Sequence, residues 1–143
     1  NDHTATIWDI LTGAALITVR HDLEVNTTIF DAAGITIATA SQDGTVKIWD
    51  ASSGEQMSEV KHGNSVYNAV FDSSGSLFVS ASDDKTASVW DVASATEVVK
   101  AKHDHAVYQA SFNLSAARFV TASRDSSACV WDVSTGAKLF TVK

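Results

Sequence analysis

Proline is absent from this chain of 143 residues, cysteine and methionine occur once each, and no long apolar run is present. Without proline, the turns must be built by glycine and by short polar residues that bond their own backbone. The lone Cys129 excludes an internal disulfide and any CxxC metal or redox motif, and it fits a reducing compartment such as the cytoplasm. A helical membrane span needs about eighteen consecutive apolar residues, so no membrane partner is expected. Basic side chains are few as well: ten Lys and Arg face seventeen Asp and Glu, for a net charge of −7 with no block of like charge. Nucleic acid is not expected as a partner, because phosphate binding draws its affinity from clustered cations that release counterions. The front carries neither an initiating Met nor a basic-then-apolar leader, which reads as a chain whose true N-terminus lies upstream.

What the chain does have is a period. Trp8, Trp49, Trp90 and Trp131 stand 41 residues apart, and each is followed by an aspartate: Asp9, Asp50, Asp91 and Asp132. A composition of 45% hydrophobic and 19% charged residues is globular. Repeats of roughly 40 to 45 residues closing on Trp-Asp mark the blades of a β-propeller, each a four-stranded antiparallel sheet that cannot bury both faces until it stacks on neighbours.

Laid out at that period, TATIWD (Thr4–Asp9), TVKIWD (Thr45–Asp50), TASVWD (Thr86–Asp91) and SACVWD (Ser127–Asp132) align as one strand, c. Upstream, ITIATASQD, SLFVSASDD and ARFVTASRD read as strand b closing on an acidic turn, and VNTTIFDAAG, VYNAVFDSSG and VYQASFNLSA as strand a running into a tight turn. After each Trp-Asp come a turn and a strand d, clearest in ALITVR, QMSEVK and KLFTVK. No stretch keeps helical apolar spacing without crossing a turn cluster, so the fold class is all-β.

The four Trp-Asp pairs, the recurring His and the Asp before strand c resemble the WD-repeat (WD40) β-propeller family over essentially the whole chain. The resemblance implies, within a blade, a hydrogen-bonded tetrad running from the strand-c Trp to a strand-b Ser or Thr, a His and a turn Asp. The corresponding sets are Trp49, Ser41, His21 and Asp43; Trp90, Ser82, His62 and Asp84; and Trp131, Ser123, His103 and Asp125. Thr39, Ser80 and Thr121 lie two residues earlier on the same strand face, so either hydroxyl can be the member; the later one is preferred. Such a network has a physical reason, since a polar group buried among Val, Ile and Phe without a partner costs about 1 to 3 kcal/mol. Two departures stand out. Arg20, Lys61 and Lys102 occupy the place before each His where the family usually has Gly, and Ala116 replaces the turn residue Gly34 or Gly75. A left-handed backbone at an alanine is strained, so another turn type is expected at Ala116.

The strands count out as a half blade over residues 1–20 (c and d) and three blades over 21–61, 62–102 and 103–143, about three and a half repeats. Single-chain propellers typically close with 4 to 8 blades. Asn1 falls within a b-to-c turn, and a chain ending on a finished strand d has no spare a and b strands for a second copy. The expectation is therefore a segment of a longer, seven- or eight-bladed chain that supplies the remaining blades, ahead of a self-assembling homo-oligomeric half-ring.

Little chemistry is legible. His21, His62 and His103 recur in every blade, which points to a structural role; His103, Asp104 and His105 form the one non-repeating His-rich spot, but a zinc site there needs two more ligands. No Ser stands in a GxSxG elbow and no glycine loop has phosphate-binding spacing, so no catalysis, cofactor or metal is expected. Members of the WD-repeat family are mostly interaction platforms, and the resemblance implies a partner surface of proteins or peptides on the d-to-a and b-to-c loops. Its residues here are Glu24, Asn26, Gln42, Ser65, Tyr67, Asp83, Ala106, Tyr108 and Arg124, whose chemistry changes from blade to blade. A sensor propeller of a multidomain signalling ATPase and an architectural subunit of a large assembly are the competing readings.

Overall fold

The computed structural model describes residues 2–143; Asn1, placed by the sequence in a b-to-c turn, lies outside them. All regular structure is β. Strands β1 (Thr4–Trp8) and β2 (Ala15–Arg20) form a two-stranded sheet. Three four-stranded sheets follow, each an antiparallel meander in chain order. The first holds β3 (Val25–Phe30), β4 (Thr36–Ser41), β5 (Thr45–Asp50) and β6 (Gln56–Lys61). The second holds β7 (Val66–Phe71), β8 (Leu77–Ser82), β9 (Thr86–Asp91) and β10 (Glu97–Lys102), and the third β11 (Val107–Phe112), β12 (Arg118–Ser123), β13 (Ala128–Asp132) and β14 (Lys138–Val142). The sheets stand side by side in an open arc, an all-β propeller segment.

Adjacent sheets meet through their first strands: β7 packs on β3 and β4, and β11 on β7 and β8. Those strands also carry bonds between sheets. The Asn26 amide donates to the Val66 carbonyl at 2.8 Å, the Thr27 hydroxyl to the Tyr67 carbonyl at 2.8 Å, and the Ala110 amide to Asn68 Oδ1 at 3.1 Å. The pairing of each first strand slips by one residue beside this seam, at Val25/Thr27, Val66/Asn68 and Val107/Gln109. An extra residue of this kind bends and twists a strand.

Burial follows from who has neighbours. Strands β8 and β9 stand in a sheet covered on both faces and are buried along almost their whole length. Their equivalents β12 and β13 alternate between buried and more open positions, because only one face meets another sheet. Small side chains (Ala81, Ala87, Ser80, Ser88) let the sheets approach, and Phe78 stacks flat on Trp90 as Phe119 does on Trp131. The outward face of the third sheet carries Val120, Ala122, Val130, Phe140 and Val142. These are the counterparts, one period on, of Val79, Ala81, Val89, Val99 and Ala101, which the second sheet buries against the third.

The turns obey the same period. Among the described residues every positive φ falls on one of three repeat positions: 3, 44, 85 and 126; 13, 54, 95 and 136; or 34, 75 and 116. Ala116 corrects an expectation, since its φ is +54° and it keeps the turn made by Gly34 and Gly75 at +70° and +73°. The flanking ladder dictates this: Ala116 N–H bonds the Asn113 carbonyl at 3.0 Å, and Asn113 Oδ1 accepts the Arg118 amide at 3.1 Å, as Asp31 and Asp72 do for Thr36 and Leu77. The strained alanine costs about 1 kcal/mol, which the closed turn outweighs.

Val79 and Val120 provide a matched pair, one fully buried and the other 42% exposed at the same repeat position. Val79→Ala should cost about 2 kcal/mol in chemical denaturation and Val120→Ala less than about 0.5 kcal/mol. Equal losses at both sites would contradict stacking as the source of stability.

Candidate functional site

Two sets of polar residues stand apart from the apolar core: chains inside each complete sheet, and side chains on the rim where the d-to-a and b-to-c loops meet.

In the first complete sheet the Trp49 indole donates to Thr39 Oγ1 at 2.8 Å, and His21 Nε2 lies 2.6 Å from the same oxygen. His21 Nδ1 lies 3.0 Å from Asp43 Oδ2. The second and third sheets repeat the arrangement through Trp90, Ser80, His62 and Asp84, and through Trp131, Thr121, His103 and Asp125. Each chain thus uses the earlier of the two candidate hydroxyls, which corrects the preference for Ser41, Ser82 and Ser123. The reason is register. Trp49 pairs across the ladder with Ile37, so Thr39 is two residues away on the same face, whereas Ser41 is four away, about 13 Å along a strand.

Distance favours one placement of the protons: the indole N–H donates to the hydroxyl oxygen, the hydroxyl proton turns to Nε2 at 2.6 to 2.7 Å in preference to a strand carbonyl at 3.3 to 3.5 Å, and Nδ1 donates to the carboxylate. With a neutral imidazole every donor in the chain has an acceptor. A further hydroxyl, Thr45, Thr86 or Ser127, donates to the other carboxylate oxygen and closes the network; nothing but its recurrence marks it out in the sequence. Burial raises the Asp43 pKa, but the Thr45 hydroxyl and amide, the Asp22 amide and His21 more than compensate and hold it at about 2. Asp84 and Asp125 are pulled down still further by equivalent bonds, again against burial. Burial also disfavours the charged form of His21 and lowers its pKa, against the pull of Asp43.

The Asp of each Trp-Asp pair serves a different purpose. Asp50 Oδ1 accepts from the amides and hydroxyls of Ser52 and Ser53 at 2.6 to 3.0 Å, which closes the c-to-d turn and holds this exposed carboxyl at about 2. Asp9, Asp91 and Asp132 cap their turns likewise.

The displaced serines clamp the rim. Ser41 Oγ donates to the Leu23 carbonyl, Ser82 Oγ reaches the carbonyls of Asn64 and Ser65, and Ser123 Oγ those of His105 and Ala106. The same oxygens accept the amides of Asp43, Asp84 and Asp125, so each serine ties a d-to-a loop to a b-to-c loop.

The rim candidates separate on inspection. Gln42 Nε2 donates to Glu24 Oε2 at 2.6 Å, and Asp83 accepts from Asn64 at 2.9 Å and from the Tyr67 hydroxyl at 3.2 Å. Tyr67 and Tyr108, on neighbouring sheets, bring their rings to 5.3 Å at 57°, with Tyr108 exposed. Arg124 is exposed and, among the described residues, its guanidinium makes no hydrogen bond or ion pair. Ser65 bonds the Gln42 carbonyl and Asn26 is engaged in the seam between sheets. Ala106 is buried and offers a partner no side chain, which removes it from the surface. Asn64, not foreseen, joins the rim through Asp83. His103 belongs to its sheet's polar chain, and among the described residues no three His, Cys, Asp or Glu side chains are placed to hold one metal ion. Among the described residues no helix is long and apolar enough to cross a membrane.

The WD domain, G-beta repeat, matches residues 14–50, 54–91 and 97–132, together more than half of the chain. The crystal structure of the computationally designed Ika8 protein superimposes with a TM-score of 0.88 at 26% sequence identity, covering 99% of this chain and 43% of the designed one. The chain thus spans less than half the length of that protein. No curated protein matches.

Two measurements check the polar chains. Thr39→Val strands the Trp49 N–H and unseats His21, and should cost about 2 to 4 kcal/mol; Ser41→Ala, which loosens only a loop clamp, should cost about 1 kcal/mol. The reverse order would return the role to Ser41. For pH, His21 titrates lower in the folded chain than its ordinary 6.5, so the unfolded chain takes up the proton first and stability falls as pH drops below that value. Asp43, held at about 2 against 3.8, adds a second loss as pH falls from about 4 toward 2. Melting curves that show greater stability at pH 5 than at pH 7 would contradict the neutral imidazole.

Proposed function

The chain belongs to the WD domain, G-beta repeat family, and on that premise we propose that it is a non-catalytic platform for protein–protein interaction. The partner meets the rim formed by the d-to-a and b-to-c loops. One observation carries this reading: the polar chains inside the sheets keep one chemistry from repeat to repeat, while the equivalent positions of the rim do not. Position by position the interior repeats Trp, hydroxyl, His and Asp, while the rim offers Gln42, Asp83 and Arg124 in one series and Asn26, Tyr67 and Tyr108 in another. A structural requirement common to all sheets would have kept these alike. Tyr and Arg are, moreover, the residues in which binding energy tends to concentrate.

The interior hydroxyls, imidazoles and carboxylates are poor candidates for catalysis because each spends its hydrogen-bonding capacity within its sheet. The loops, in contrast, are held rigid by the serine clamps, so a partner meets a preformed surface and little ordering entropy is lost on binding.

The test replaces Tyr67, Tyr108 and Arg124 together by Ala and compares proteins co-purified by the variant and the parent chain. Loss of a specific set by the variant, at unchanged melting temperature, is the expected result, with Ser52→Ala on the opposite loops as the control that loses nothing. Identical sets for all three proteins would defeat the proposal.

A further inference from the structure

Arg124 sits on the same backbone scaffold as two rim residues whose polar needs are met within the chain. Gln42, Asp83 and Arg124 each donate their amide to the carbonyl of the residue eighteen positions earlier: Glu24 at 2.9 Å, Ser65 at 2.9 Å and Ala106 at 2.8 Å. The shared backbone bond fixes the relative placement of the two side chains at each pair. In the first complete sheet the Glu24 carboxylate accepts the Gln42 side-chain amide at 2.6 Å. In the second, Asp83 is satisfied by Asn64 and Tyr67. In the third, the residue in Glu24's place is Ala106, and the guanidinium is left without an acceptor while the Tyr108 hydroxyl beside it also makes no hydrogen bond among the described residues. Arg124 is close enough to Tyr67 for its charge to act on that hydroxyl.

Nearby carboxylates do not fill the gap. Asp83 is committed as described, and Asp125 accepts from His103, Ser127 and the Asp104 amide. Asp104 is exposed on the d-to-a loop and forms no ion pair with Arg124. A guanidinium presents a planar fork of donors that a carboxylate meets with two parallel hydrogen bonds, and such charge-assisted pairs are among the stronger and more selective contacts a surface can offer.

We propose that the rim recognises a protein segment bearing an Asp or Glu side chain, whose carboxylate takes up at Arg124 the position that Glu24 holds beside Gln42. The tilted Tyr67 and Tyr108 rings receive the apolar part of the same segment, and the Tyr108 hydroxyl supplies a further donor. This rests on the platform reading and specifies its partner.

The experiment selects binders of the chain from a displayed library of random peptides, then measures the affinity of the enriched peptides in solution. The expected consensus contains an acidic residue whose change to the corresponding amide weakens binding at least tenfold. Arg124→Gln should produce a similar loss. Ala106→Glu, which installs the carboxylate found in the first sheet, should also weaken these peptides at least tenfold while leaving the melting temperature within a few degrees. Peptides that depend on Tyr67 and Tyr108 but ignore Arg124 and carry no required acid would overturn this proposal and spare the platform. Absence of any peptide sensitive to changes on the rim would overturn both.

Discussion

Each sheet of this chain is apolar on both faces, and that single constraint organises the rest. A sheet of four short strands has no interior of its own. It draws its stability from whatever covers its faces, and in an arc the cover is another sheet of the same pattern. The central sheet shows the outcome in β8 and β9, buried almost throughout, whereas the third sheet presents the same residue types to solvent. Burial here is a property of the neighbour and not of the residue type.

Stacking alone would not fix how sheets are built, because faces of Val, Ala and Phe tolerate slippage. The polar chains supply the missing specification. A tryptophan on the third strand, a hydroxyl on the second, a histidine before the first and an aspartate in the turn satisfy one another only if strands and turn are in a single register, since each alternative leaves a buried donor or acceptor bare. The polar chains, satisfied within their own sheets, also leave chemistry to the rim, where no such requirement operates and the side chains are at liberty to differ.

Much of this was legible in the sequence. The 41-residue spacing, the β-rich segments between turn clusters and the Trp-Asp pairs led to fourteen strands in four sheets, and the histidines and turn aspartates recur where the interior chains use them. The choice between Thr39 and Ser41 went the wrong way because both point to the same face, and face alone cannot separate them. Counting the ladder outward from the Asp43 turn does, because it sets Trp49 opposite Ile37 and leaves Ser41 beside the turn. Ala116 was misjudged for a different reason: propensity at one residue was weighed without the Asn113 bonds that close its turn. The engagement of Asn26 and the burial of Ala106 were not readable at all, since both depend on contacts between sheets or loops far apart in the chain.

If stability comes from stacking, it should be graded across the arc, because a sheet with two neighbours must lose more contacts to open than a sheet with one. Native-state hydrogen exchange resolved by residue tests this most directly. The amides of β8 and β9 should exchange slowest, with protection falling away toward β1 and β2 on one side and β14 on the other. Uniform protection in all four sheets, or a pair β1–β2 that outlasts the central sheet, would contradict the account.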